Sequence, residues 1–88
     1  MRKWEKALVK RDIQVNSSFE AASAAQLVQK ASKFKSRISL VAEEKTANAK
    51  SIMGIISMDL QGGKTVTIVA DGEDEQQALP ELETIIGG

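Results

Sequence analysis

The fold class is decided by residues 37–49, which read RISLVAEEKTANA. In the first half of this stretch Ile38, Leu40 and Ala42 are two positions apart, so they share one face of a strand over residues 37–42. Residues 43–45 form a charged turn, and residues 46–49 predict a short strand after it. Strands joined by such a tight turn pair antiparallel. The sheet is therefore expected to be rich in antiparallel pairs.

Patterns on either side of this unit extend the prediction. Upstream, the polar cluster at residues 16–18 separates a strand over residues 7–15 from a helix that begins after Glu20. Downstream, Ser51 precedes a short apolar-rich helix, and residues 65–70 (TVTIVA) form the clearest strand. A last helix follows. Each of the two long helices is expected to carry an apolar stripe on one side. In the first helix the stripe contains Ala24, Leu27, Val28, Ala31 and Phe34. In the last helix it contains Ala78, Leu79, Leu82, Ile85 and Ile86. This order favours an α+β protein whose helices cover one face of the sheet.

The predicted core is aliphatic, because Trp4, Phe19 and Phe34 are the only aromatic residues. Eight side chains are expected to be mostly buried: Leu27, Val28, Ile38, Leu40, Val66, Ile68, Leu79 and Leu82. Pro80 removes one helical hydrogen bond, so the last helix is expected to start near Gln77 or to be kinked. Residues 73–75, all acidic, have no metal-ligand spacing and are predicted to be a solvated helix start.

Composition excludes several kinds of chemistry. Lys plus Arg and Asp plus Glu both total 12, so the zero formal charge gives no overall attraction to nucleic acid or to an anionic membrane. The chain contains no cysteine and no histidine, which excludes disulfides, thiolate or imidazole metal ligands, and phosphohistidine. No apolar run approaches the roughly 20 residues of a membrane span. We predict a cytoplasmic protein with no metal and no cofactor.

Residues 48–58, NAKSIMGIISM, resemble the regulatory-serine segment of the HPr family of the sugar phosphotransferase system, and of its catabolite-repression HPr type in particular. Residues 72–79 (GEDEQQAL) are similar to the start of that family's last helix. The resemblance implies an open-faced sandwich in the order βαββαβα, with a four-stranded antiparallel sheet and three helices on one face. It covers about residues 7–86, so we expect an HPr-like domain over 7–88. Residues 1–6, with Trp4, form an N-terminal extension in this prediction.

The family's phosphate-carrying segment places a histidine, an alanine, an arginine and a proline just before the first helix. In the aligned residues 18–23 (SFEAAS), Glu20 stands at the histidine position, Ala22 at the arginine position and Ser23 at the proline position. The resemblance therefore implies that histidine-based phosphate relay is lost and that no catalytic residue remains. Glu20 has two interpretations: a fixed charge that mimics phosphohistidine, or an acid that stabilises a helix N-terminus.

Ser51 also has two interpretations. Serine is a favoured helix N-cap and needs no kinase for that role. By resemblance, Ser51 aligns with the serine that the family's kinase phosphorylates, and a phosphate at a helix N-terminus is held by N–H groups and by the dipole. The resemblance also implies that Ile52 and Ile56 belong to a surface that binds partners, and Met53 is expected to extend this surface as part of the same apolar patch. The stretch over residues 52–58 is expected to be half core and half surface.

The leading functional hypothesis is a regulatory, non-enzymatic HPr-like protein of carbon catabolite control, switched at Ser51. The implied partners are HPr kinase/phosphorylase and a catabolite-control transcriptional regulator or phosphotransferase enzymes, without direct nucleic-acid binding. Two alternatives stay open. One is a degenerate paralogue that binds phosphotransferase enzymes without relaying phosphate, and the other is a phosphocarrier that uses carboxylate chemistry at Glu20.

Overall fold

In the strands, apolar residues that face the core recur at alternate positions, and in the helices apolar residues recur every three or four positions. The computed structural model describes residues 9–87. The elements within these residues are β1 (Val9–Gln14), α1 (Ala21–Ala31), β2 (Arg37–Ala42), β3 (Lys45–Asn48), α2 (Ile52–Ser57), β4 (Thr65–Asp71) and α3 (Glu75–Gly87). The predicted extension with Trp4, and the first two residues of the predicted first strand, lie outside the described residues.

The sheet contains the four described strands in the order β1-β4-β2-β3, and every neighbouring pair is antiparallel. Ile13 lies opposite Val66 across β1 and β4, and Leu40 lies opposite Ile68 across β2 and β4. These side chains are buried on the face that the helices cover. The predicted open-faced sandwich in the order βαββαβα is therefore confirmed.

The core is aliphatic, as the composition predicts. Seven of the eight side chains expected in the core are buried, and Val28 is half-buried at its edge. Phe19 and Phe34 are also half-buried and pack against the periphery of the core. The centre is therefore filled by Leu, Ile, Val and Ala side chains from the sheet and from the helices.

α1 ends earlier than the apolar stripe indicates. The prediction continued the stripe to Phe34, whereas the helix stops at Ala31. The Ser32 hydroxyl donates to the Val28 carbonyl at 2.8 Å, and the amide of Phe34 donates to the carbonyl of Ala31 at 3.1 Å. The tighter three-residue bonding ends the helix, yet it still brings Phe34 against the core.

The start of α3 corrects two expectations. Of the two alternatives for Pro80, the late start is wrong, because the helix begins at Glu75 rather than near Gln77 and Pro80 lies inside it. The expected solvated acidic start is wrong for Glu75, which is buried, while Asp74 is half-buried and hydrogen-bonded. Asp74 accepts the backbone N–H groups of Lys35 and Ser36 at 2.8 and 2.9 Å, as well as the Ser36 hydroxyl.

Glu75 is only 2% exposed, and its Oε1 accepts the N–H of Gly72 at 2.8 Å. The Asp74 contacts are tertiary, because the loop before β2 crosses the helix start and presents donors that need acceptors, whereas the Glu75 contact with Gly72 is local. Gly72 has a φ of 158°, and a Cβ there would lie 2.6 Å from the Cα of Ser36. The crossing therefore requires glycine at this position.

Candidate functional site

Ser51 sets the start of α2. Its backbone is extended, with φ −113° and ψ 113°, and its Oγ accepts the N–H of Gly54 at 3.2 Å. The approach to the helix is held by Asn48, whose backbone carbonyl accepts the N–H of Ser51 at 3.0 Å. The Asn48 side-chain oxygen accepts the N–H of Lys50 at 2.8 Å. Local hydrogen bonds therefore position the serine at the N-cap of a six-residue helix.

The surroundings of the Ser51 hydroxyl leave room on one side. Ser51 is half-buried, and a Cβ at Gly54 would lie 3.4 Å from its Oγ, so glycine keeps that space open. Lys50 directs its Nζ to the carbonyl of Phe34 at 2.7 Å. The neighbouring cation therefore ties this loop to the segment that follows α1.

α2 divides its apolar side chains between core and surface. Ile55 and Met58 are buried, whereas Ile52, Met53 and Ile56 are 38%, 70% and 54% exposed. Within residues 9–87 these three are the exposed large hydrophobic side chains. The half-core expectation is therefore confirmed. An exposed apolar face on so small a domain is typical of a protein-binding surface.

Glu20 is the N-cap residue of α1, with φ −136° and ψ −172°. Its carbonyl accepts the N–H of Ala24 at 3.0 Å, and its own N–H donates to the Ser23 Oγ at 3.3 Å. Ser23 therefore helps to set the helix start. Glu20 and Ala22 are exposed, and Glu20 forms no ion pair with any residue of the described part of the chain.

A groove of about 210 Å³ joins the start of α1 to the end of α2. Phe19, Glu20, Ile56, Asp59 and Leu60 contribute to its lining. The structure thus brings Glu20 and Ile56 together, whereas Ser51, Ile52 and Met53 lie outside this lining.

Sequence reasoning did not single out Phe19 or Asp59 as site residues, yet both line the groove. Asp59 adopts a left-handed φ of 51° directly after α2, and its N–H donates to the carbonyl of Ile56 at 3.1 Å. The sequence did carry a signal for Asp59: it is an acidic residue directly after a helix, at a position where glycine is usual.

The architecture expected from the resemblance is the one observed, which gives this chain the form of an HPr-type phosphocarrier domain. The family model described as "PTS HPr component phosphorylation site" matches residues 9–87, and the chain belongs to the HPr family. Members of this family are phosphocarrier proteins of the phosphotransferase system. Within residues 9–87, no helix is long and apolar enough to cross a membrane.

Three known proteins illustrate the similarity. HPr-like protein Crh of Bacillus subtilis (strain 168), described as a catabolite repression HPr, is 40% identical over 77 residues, 88% of this chain and 91% of the relative. Phosphocarrier protein HPr of Lysinibacillus sphaericus is 46% identical over 66 residues, 75% of each chain. The structure of HPr from Bacillus anthracis str. Ames matches with a TM-score of 0.85 at 38% identity, covering 91% of this chain and 98% of that chain.

Proposed function

We propose that this chain is a regulatory HPr-like protein of the phosphotransferase system and carbon catabolite control, and that it acts by binding other proteins rather than as an enzyme. Phosphorylation of Ser51 switches it, and Ile52, Met53 and Ile56 form its partner-binding surface. Its partners are HPr kinase/phosphorylase and a catabolite-control transcriptional regulator or phosphotransferase enzymes. It works in the cytoplasm.

The observation that carries this proposal is the placement of Ser51 at the N-cap of α2, next to the exposed face of the same helix. A phosphate on this serine brings a charge near −2 to the positive end of the helix and next to free N–H groups. Because the apolar face begins at the following residue, the phosphate changes the charge of the surface that a partner contacts. Similarity to Crh, a catabolite repression HPr, supports the same function.

The segment around Glu20 supports regulation without phosphate relay. The sequence has no histidine to carry a phosphoryl group. A carboxylate that attacked phosphate would form an acyl phosphate and would need a neighbouring cation to offset the developing charge. Ala22 contributes none, and the groove beside Glu20 is lined by no lysine or arginine of the described chain. The carboxylate phosphocarrier alternative is therefore less favoured.

The proposal is tested by treating the full chain with HPr kinase and ATP, followed by intact-mass measurement. We expect the wild-type protein to gain one phosphate and the variant Ser51→Ala to gain none. Ser57→Ala is the matched control, because Ser57 is an exposed serine on the same helix whose hydroxyl donates to the carbonyl of Met53. It should be modified like the wild type. An unmodified wild type, or a phosphate that persists in Ser51→Ala, contradicts the proposal.

A further inference from the structure

We propose that the groove between the start of α1 and the end of α2 receives an arginine side chain of a protein partner. This inference rests on the proposed function, in which the exposed face of α2 is the partner-binding surface. It adds the chemistry that selects the partner: a guanidinium group between two carboxylates, beside apolar residues that pack on Ile56 and its neighbours.

The size of the groove suits one long side chain. Its volume is about 210 Å³, well above the space that a single water molecule needs. Phe19, Ile55 and Leu60 supply apolar lining, and the exposed side chain of Ile56 connects the groove to the exposed face of α2. A side chain that enters here therefore brings the rest of its segment onto that face.

The charge of the groove favours a cation. Glu20 and Asp59 are both exposed acids in its lining, and neither forms an ion pair with a residue between 9 and 87. The polar contact of the Asp59 carboxylate is the Nε2 of Gln61 at 3.1 Å, a neutral donor. Two acidic residues in the lining of one groove disfavour a phosphate or an acidic segment and favour a basic group.

Asp59 occupies a position that suits glycine better. Its φ of 51° is left-handed, and such a residue after a helix is usually glycine because glycine has no Cβ to strain the backbone. Aspartate is one of the few other residues that adopt this conformation, and here it adds a carboxylate to the lining of the groove.

Arginine fits these groups better than lysine does. Its planar guanidinium can donate to carboxylates at its edge while its face packs on an aromatic ring, here that of Phe19. A lysine ammonium is more strongly hydrated and has no flat face for such packing. The groove provides both groups that a guanidinium binds, because an aromatic ring and two acidic residues lie in its lining.

The test is a titration of the 15N-labelled full chain, followed by NMR, with the peptide Ac-Leu-Arg-NH2. The comparison peptide replaces arginine by citrulline, which has nearly the same shape but no charge. We expect saturable shifts of the amide signals of Phe19, Ala21, Ile56 and Leu60, and affinity for the citrulline peptide lower by about fivefold or more. Shifts that do not saturate, shifts centred elsewhere, or equal affinity for both peptides overturn the inference.

Variants localise the effect. Asp59→Gly removes the carboxylate at a left-handed position that glycine favours, so the fold is retained, and we expect about fivefold weaker arginine-peptide binding. Glu43→Gly is the matched control, because Glu43 also has a left-handed φ, 57°, but lies in the turn between β2 and β3. It should bind like the wild type. Equal binding by Asp59→Gly and the wild type overturns the inference.

A second pair of variants leaves the backbone unchanged. Glu20→Gln should weaken binding of the arginine peptide, whereas Glu44→Gln in the turn after β2 should not. No kinase enters these titrations. If the titration is negative while HPr kinase modifies Ser51 in the separate assay, this inference alone is overturned. If the kinase leaves Ser51 unmodified, the proposed function is overturned.

Discussion

Asp74 is the residue at which the start of α3 is attached to the loop before β2. Hydrogen bonds to its carboxylate lower the pKa of Asp74 from 3.8 to about 2. The largest cause is the hydroxyl of Ser36, followed by the N–H of Lys35, while partial desolvation acts in the opposite direction. The ionised form is therefore stabilised in the folded state relative to the unfolded chain.

This lowered pKa of Asp74 predicts a loss of stability in acid. Since the pKa is lower in the folded than in the unfolded state, the contribution is fully present above about pH 4 and disappears as the pH falls towards 2. We expect the free energy of unfolding, measured by urea denaturation between pH 5 and pH 2, to decrease over this window. Asp74→Asn should flatten this decrease.

Glu44→Gln serves as the control for that experiment, because Glu44 is an exposed acid in the turn between β2 and β3. It should retain the wild-type pH profile. A profile for Asp74→Asn that matches the wild type between pH 4 and pH 2 would contradict the assignment.

At the scale of the element, α3 contains a proline well inside its helical range. Pro80 is the sixth residue of the helix that begins at Glu75, and it is exposed. Its nitrogen carries no hydrogen, so it cannot donate to the carbonyl four residues earlier, at Gln76. The helix continues because Ala78, Leu79, Leu82 and Ile86 bury its inner face against the sheet and α1. Packing outweighs the lost hydrogen bond.

Replacing this proline should therefore stabilise the protein. Pro80→Ala restores the missing N–H donor and improves helix propensity, and we expect the free energy of unfolding to rise by about 1–2 kcal/mol. Gln76→Ala, an exposed change in the same helix, should alter it by only about 0.5 kcal/mol or less. Both values come from urea denaturation at pH 7. A destabilised Pro80→Ala would show that proline fits the native backbone of α3 without cost.

At the scale of the whole molecule, one layer of helices closes over one face of the sheet, and Leu27 is part of the core between them. It is fully buried on the inner side of α1, which packs against both α2 and α3. A domain of 88 residues buries a smaller share of its surface than a larger one, so each such side chain is a large part of its stability.

Truncating this side chain tests the centre of the core. Leu27→Ala should lower the free energy of unfolding by about 2–5 kcal/mol, because it removes buried methyl groups and leaves a cavity. Val28→Ala, next along α1 but half-buried, should cost less than half as much. Thermal or urea unfolding measures both. Similar losses for the two variants would contradict the central position of Leu27.

Alternation and periodicity predict much of this fold. β2 has the bounds expected from its alternation, and β4 extends one residue beyond its predicted end. The placement of Ser51 before α2 also follows from local sequence, because an N-cap depends on the residues of its own turn. The end of α1 could not be predicted in this way, since the apolar stripe continues to Phe34 after the helical hydrogen bonds stop.

By itself, the sequence determined the element order, the faces that are buried and the absence of a phosphate-carrying histidine, because these depend on residue type and on spacing along the chain. Only the tertiary structure decided the environment of Asp74, whose partners lie 38 and 39 residues away. The tertiary structure also determines that Glu20 and Asp59 line the same groove. Contacts of this kind arise where elements distant in sequence meet, and no local pattern of side chains specifies them.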